Sequence, residues 1–166
     1  PVPTGPDATP AASGFVSVAA GYTRPPVIEA IVDIQVDGFA SEVTERLGSV
    51  LAGEDALRYP KRQDLYQTEL QFQLGEAAAA PVSVSTAMGY QYQHPGRHQI
   101  VQIRKNGFAF MQQRPYPAEG WASWAVDARR LWQRYLDVLQ PSTITRVGVR
   151  YVNQILMPAH DFRIED

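Results

Sequence analysis

The sequence predicts an α+β fold: a two-layer sandwich whose antiparallel sheet, in the order strand-helix-four strands-helix-strand, carries its helices on one face. Three observations lead to it. Several stretches alternate apolar and polar residues with period two. Two others repeat apolar residues at helical spacing, and the four middle strands follow one another through short turns.

The first alternation runs from Val27 to Val36, with Ile28, Ala30, Val32, Ile34 and Val36 on one side and Glu29, Asp33 and Gln35 on the other. Pro25-Pro26 holds the preceding chain out of the helical region, and Asp37-Gly38 ends the strand. Phe39, Val43, Leu47, Val50 and Leu51 then fall at helical spacing, so a first helix is expected up to Gly53. Beyond the loop at Tyr59-Pro60, strands are expected over Tyr66 to Leu74 and Val82 to Tyr92, with a connector over 75–81 and a turn at His94-Pro95-Gly96. His98 to Lys105 and Phe108 to Gln113 flank Asn106-Gly107, a pair that favours the two positive-φ positions of a type I′ turn. Trp121, Trp124, Ala125, Ala128, Leu131, Trp132, Tyr135 and Leu139 form a wide apolar stripe, read as the core face of a second helix that Pro141 ends. Thr143 to Met157 is the last expected strand.

A chain of 166 residues with 45% apolar residues can bury the core of one domain. Residues 1–24 are rich in Pro, Ala, Gly, Ser and Thr and nearly uncharged, as in a flexible leader. Residues 25–158 are expected to form a single α+β domain, and 159–166 to start a segment that continues in a longer parent protein. Without cysteine there is no disulfide framework, thiolate metal site or cysteine nucleophile. Apolar runs fall far short of the roughly 20 residues of a membrane helix. No charged n-region precedes an apolar h-region, so a cytoplasmic location without membrane association is expected. The net charge of -2 conceals a split. Pro26 to Glu76 holds ten acidic and four basic residues, whereas Arg97 to Arg150 holds nine basic and three acidic. The simplest arrangement sets strands from the two halves side by side, where they neutralise each other.

Pro25-Pro-Val-Ile-Glu29, Tyr59-Pro60, the Asn106 hairpin ending in Arg114-Pro-Tyr-Pro117, the Trp-rich helix and Arg146-Val-Gly-Val-Arg150-Tyr-Val-Asn153 occur here in order. In this set the chain resembles the N-terminal half of a sporadically distributed bacterial family of uncharacterised proteins. The resemblance covers roughly residues 25 to 158 and implies no activity. By topological analogy, the first seven elements also resemble the half-repeat of the TATA-binding-protein-like fold, the eighth then opening a second half. Fold alone licenses no function.

Glu29 and Asp33 lie four residues apart on the polar face of the first strand, about 13 Å along it, and Arg146 and Arg150 share that spacing on the last. If the strands are neighbours, the four form a cross-strand ion-pair ladder. The sharper reading is an anion-recognition surface in which Arg150, aided by Arg146 and Asn153, binds a carboxylate or phosphate. Neither a nucleophile nor a base-orienting partner accompanies these carboxylates. His94 and His98 have metal-like spacing, but Pro95-Gly96 between them makes a turn, and no metal or cofactor is expected. Tyr90, Tyr92, Phe108 and Phe110 would suit single-stranded nucleic acid if they lay on an open sheet face.

The leading expectation is therefore a non-enzymatic binding or assembly module that uses an open sheet face or edge, with a protein partner or a homo-oligomer. A nucleic-acid-associated domain is the alternative, opposed by a sequence pI near 5.9. An enzyme acting on an anionic substrate at the Arg/Glu sheet face comes third.

Overall fold

Strand β1 (Val27–Asp37) lies between two strands from the far half of the chain, β5 (Gly107–Gln113) and β6 (Thr143–Asn153), and pairs antiparallel with both. The computed structural model describes residues 26–39, 43–71, 82–117 and 119–156. The expected leader and closing segment lie outside them. β2 (Lys61–Gln71), β3 (Val82–His94), β4 (Gln99–Arg104) and β5 follow one another as an antiparallel meander. The complete sheet has six strands in the order β2-β3-β4-β5-β1-β6. The predicted α+β sandwich with an antiparallel sheet is thus present, with one long helix, α2 (Trp121–Leu139), as its main second layer.

Helix α2 docks through the predicted stripe: Trp124, Ala128, Leu131, Tyr135 and Leu139 are buried. Trp124 is 1% exposed and stacks on Phe110 with centroids 5.8 Å apart and planes 5° apart. Its Nε1–H donates to the Tyr116 hydroxyl at 3.0 Å, which satisfies the indole's one polar group. Phe108 packs against Trp132 and Tyr135, and the Tyr135 hydroxyl donates to the Arg104 carbonyl at 2.9 Å. Trp121 departs from the stripe's expected burial: it is 43% exposed, in edge contact with Trp124 at the helix start.

The expected first helix is absent among the described residues. Val43, Leu47, Val50 and Leu51 do enter the core, but from a turn and a single 3-10 turn at Leu47–Ser49. Residues 40–42 lie outside the described residues. Gly48 and the β-branched Val43, Thr44 and Val50 weaken helix propensity here, and a compact turn buries the same side chains. Gly53 caps the start of the short α1 (Glu54–Arg58) rather than ending a helix. β2 also starts five residues earlier than expected, at Lys61, because an edge strand accepts the polar Lys-Arg-Gln-Asp run. Phe72 and Leu74 of the expected strand fall outside the described residues, and β6 ends at Asn153 rather than Met157.

The β4–β5 hairpin is present, but its turn differs. Arg104 pairs with Gly107, so Lys105 and Asn106 form the two-residue loop and Gly107 is the first residue of β5. Glycine is needed there for closeness: a Cβ would overlap the carbonyl oxygen of Ile34 on β1.

Trp124→Ala should cost about 3–5 kcal/mol in chemical denaturation, the range for deleting a fully buried large aromatic. A loss below about 1 kcal/mol would mean that α2 is not held by this contact.

Candidate functional site

Residues of alternate parity on β1 face opposite sides of the sheet. Ala30, Ile34 and Val36 join the core under α2, while Ile31, Asp33 and Gln35 face the side on which no described helix lies. Register carries this division across the strands. One cross-strand row on the uncovered side reads Gln63, Gln91, Gln102, Ala109, Asp33, Gly148. Beside it lie Arg104, Gly107, Gln35, Arg146 on one flank and Ile100, Met111, Ile31, Arg150 on the other. The glutamines are linked edge to centre: Gln102 donates to Gln91 at 2.9 Å and Gln91 to Gln63 at 3.3 Å.

Where that row reaches Ala109 and Gly148 it loses its long side chains, and the face sinks into a groove of about 410 Å³. Asp33 lies at its floor in an ion pair with Arg104. Arg146 and Arg150 line it from β6, over an apolar base of Ile31 and Met111. A Cβ on Gly148 would only touch the Arg146 guanidinium, at 3.5 Å, so that group lies directly over the glycine. Among the described residues neither Arg146 nor Arg150 pairs with a carboxylate, and the buried Nε–H of Arg104 finds no acceptor. Three guanidiniums therefore surround one carboxylate.

The expected ladder is corrected by register. β1 and β6 are neighbours, but Asp33 sits opposite Gly148 and Glu29 opposite Val152, so neither carboxylate faces an arginine of β6. Asp33 instead pairs across two strands with Arg104, and Glu29 accepts from Gln113 at 3.5 Å. Asp33, Arg146 and Arg150 come together in the groove. Glu29 and Asn153 lie toward its far end and do not line it. Arg104 was missed: its place in the alternation with Ile100 and Gln102 was readable, but its meeting with Asp33 needed the strand order.

Tyr92, Phe108 and Phe110 are buried beneath the helix layer and Tyr90 packs beside them, so the aromatics proposed for base stacking lie on the covered face. His94 is the last residue of β3, opposite Gln99, and the expected turn begins one residue later, over 95–98. The His94 Nδ1 accepts from the Gly96 and Arg97 amides of that turn at 3.2 Å. No group of three or more metal-ligating side chains occurs among the described residues, and none of their helices is long and apolar enough to cross a membrane.

A second polar cluster joins the layers at one end. Arg130 bridges the buried Asp55 and Asp127, and Arg97 reaches Asp127 at 2.8 Å. Tyr59 donates to Gln99 at 2.9 Å, and burial pushes its hydroxyl well above the usual tyrosine range. The acidic and basic halves thus neutralise each other through Asp33–Arg104 and Asp55–Arg130. His94 sits edge-on to Tyr59, and burial, then the Arg97 charge, hold its pKa below the usual value, with Arg58 adding to this and Asp127 opposing it.

The unfolded chain therefore takes up a proton at His94 more readily than the folded one, and stability falls as pH drops through the unfolded value of about 6.5. His94→Gln should flatten the melting temperature between neutral and mildly acidic pH; an unchanged slope would assign the acid sensitivity elsewhere. Asp33→Ala should cost about 1–3 kcal/mol by stranding the half-buried Arg104, whereas Arg150→Gln should stay within about 0.5 kcal/mol. Equal losses in urea denaturation would restore the ladder.

Models of known protein families, curated proteins and solved structures were compared with this chain, and none matches it.

Proposed function

We propose that this domain is a non-enzymatic assembly module that extends its sheet across β6, the added strand coming from a second copy of the chain or from a protein partner. The observation that carries this reading is the state of β6. It is an edge strand of 11 residues, and all but Gly148 and Val152 are exposed or nearly bare on the surface. On its helix-side face Val147, Val149 and Tyr151 stand beside Ile34, Val32 and Ala30 of the core, yet are 64%, 53% and 45% exposed. An uncovered edge with a continuous apolar face invites a further strand, and monomeric proteins usually blunt such edges.

Self-pairing has a favourable register. A two-fold axis through Val149 sets Val147 opposite the second copy's Tyr151, an aromatic against a β-branched residue, and Gly148 opposite Arg150, so that no arginine stands directly opposite another. The nucleic-acid reading loses its aromatic platform, since none of the groove-lining side chains is aromatic.

Multi-angle light scattering should give a dimer mass that Val147→Lys reduces to monomer, with the monomer still folded by circular dichroism and its melting temperature independent of concentration. A monomeric mass at every concentration, with β6 amides unprotected in hydrogen exchange when candidate protein partners are present, would overturn the reading.

A further inference from the structure

The groove on the uncovered face lies on the other side of β6 from its apolar stripe, and assembly through the edge leaves it unexplained. We propose that it binds a small oxyanion carrying two or three negative charges, of the phosphate or polycarboxylate type.

Charge comes first. Arg104, Arg146 and Arg150 face a single carboxylate, Asp33, which Arg104 already neutralises. Two guanidiniums remain uncompensated by any described carboxylate, and Glu29, the nearest other acid of β1, is engaged with Gln113. Two uncompensated charges match a dianion rather than a single carboxylate. Arginine also presents its donors as a planar fork that fits carboxylate and phosphate oxygens two at a time.

Shape is the second argument. Arg146 and Arg150 are four residues apart, about 13 Å along the strand, and both side chains line one concavity whose middle is emptied by Ala109 and Gly148. Its volume of about 410 Å³ lies in the range of small-molecule sites. Ile31 and Met111 lower the local dielectric beneath the cations, which strengthens their attraction for an anion. The third argument is Arg104 itself, a groove-lining side chain whose buried Nε–H no described acceptor satisfies.

Isothermal titration of the chain at low ionic strength with pyrophosphate, citrate and acetate tests the proposal. Pyrophosphate, citrate or both should bind, with acetate far weaker; the better of the two identifies phosphate or polycarboxylate as the natural chemistry. Arg146→Gln and Arg150→Gln should each weaken binding about ten- to a hundredfold, as expected for losing a hydrogen bond to a charged group. Their melting temperatures should be unchanged. Val147→Lys, an edge residue that does not line the groove, should bind as the parent chain does, which separates this site from edge assembly. The proposal is overturned if neither multivalent anion binds, if acetate binds equally, or if the arginine variants bind unchanged. It is also overturned if a single-stranded oligonucleotide binds more tightly than pyrophosphate and loses affinity steeply with salt, which would assign the arginines to a nucleic-acid backbone.

Discussion

Six strands spaced about 4.8 Å apart span roughly 24 Å from first to last, whereas an α-helix with its side chains is about 10–12 Å across. One long helix cannot cover such a sheet, and much of this molecule follows from that mismatch. Helix α2 takes the centre, where Phe108 and Phe110 of β5 meet Trp124, Trp132 and Tyr135. The segment around Leu47 and Tyr59 extends the cover toward β3 and β4. β6 receives none of it, so the apolar side chains that continue the core pattern from β1 stand in solvent.

The opposite face meets a different constraint, since no second layer of the described residues lies on it and its side chains must satisfy one another or meet water. Glutamines do this over β2, β3 and β4 by bonding to one another across the strands. Nearer β6 the row changes to Ala109, Asp33 and Gly148, which cannot continue the amide ladder. The loss of side-chain bulk creates the groove, and the arginines on either side fill its rim. Gly107 contributes by the same lack of a Cβ, letting β5 and β1 approach where Asp33 and Arg104 join.

The elements legible in the sequence were those whose periodicity was strong and whose environment was uniform. From Glu29 to Val36 β1 alternates with the single exception of Ile31, because the face under α2 is buried or half-buried, and α2 repeats its stripe over 19 residues against the sheet. The segment after β1 misled because helical spacing of apolar residues records which side chains are buried, and a 3-10 turn buries Leu47 and Val50 equally well. β2 was partly hidden since an edge strand needs no apolar alternation where it runs beyond the core. The site divided along the same line. Arginines at positions 146 and 150 share one face by parity alone, which any reader of the strand obtains. Their partners depend on register, and the facing of Asp33 with Gly148 instead of an arginine is set by which residues β1 and β6 align. A two-residue shift in alignment would have set Asp33 opposite Arg146 and Glu29 opposite Arg150, exchanging groove for ladder.

That sensitivity to register also explains how one strand serves two surfaces. With a side-chain period of two, β6 sends Val147, Val149 and Tyr151 to the helix side and Arg146 and Arg150 to the other. Gly148 lies between the two arginines on the groove face, and the Arg146 guanidinium rests directly over it. A strand added to β6 would lengthen the groove without closing it, because backbone pairing lies in the plane of the sheet and the groove opens perpendicular to that plane. Edge and face are thus chemically separate but geometrically continuous, and an anion in the groove would sit beside the seam of any assembly built on β6.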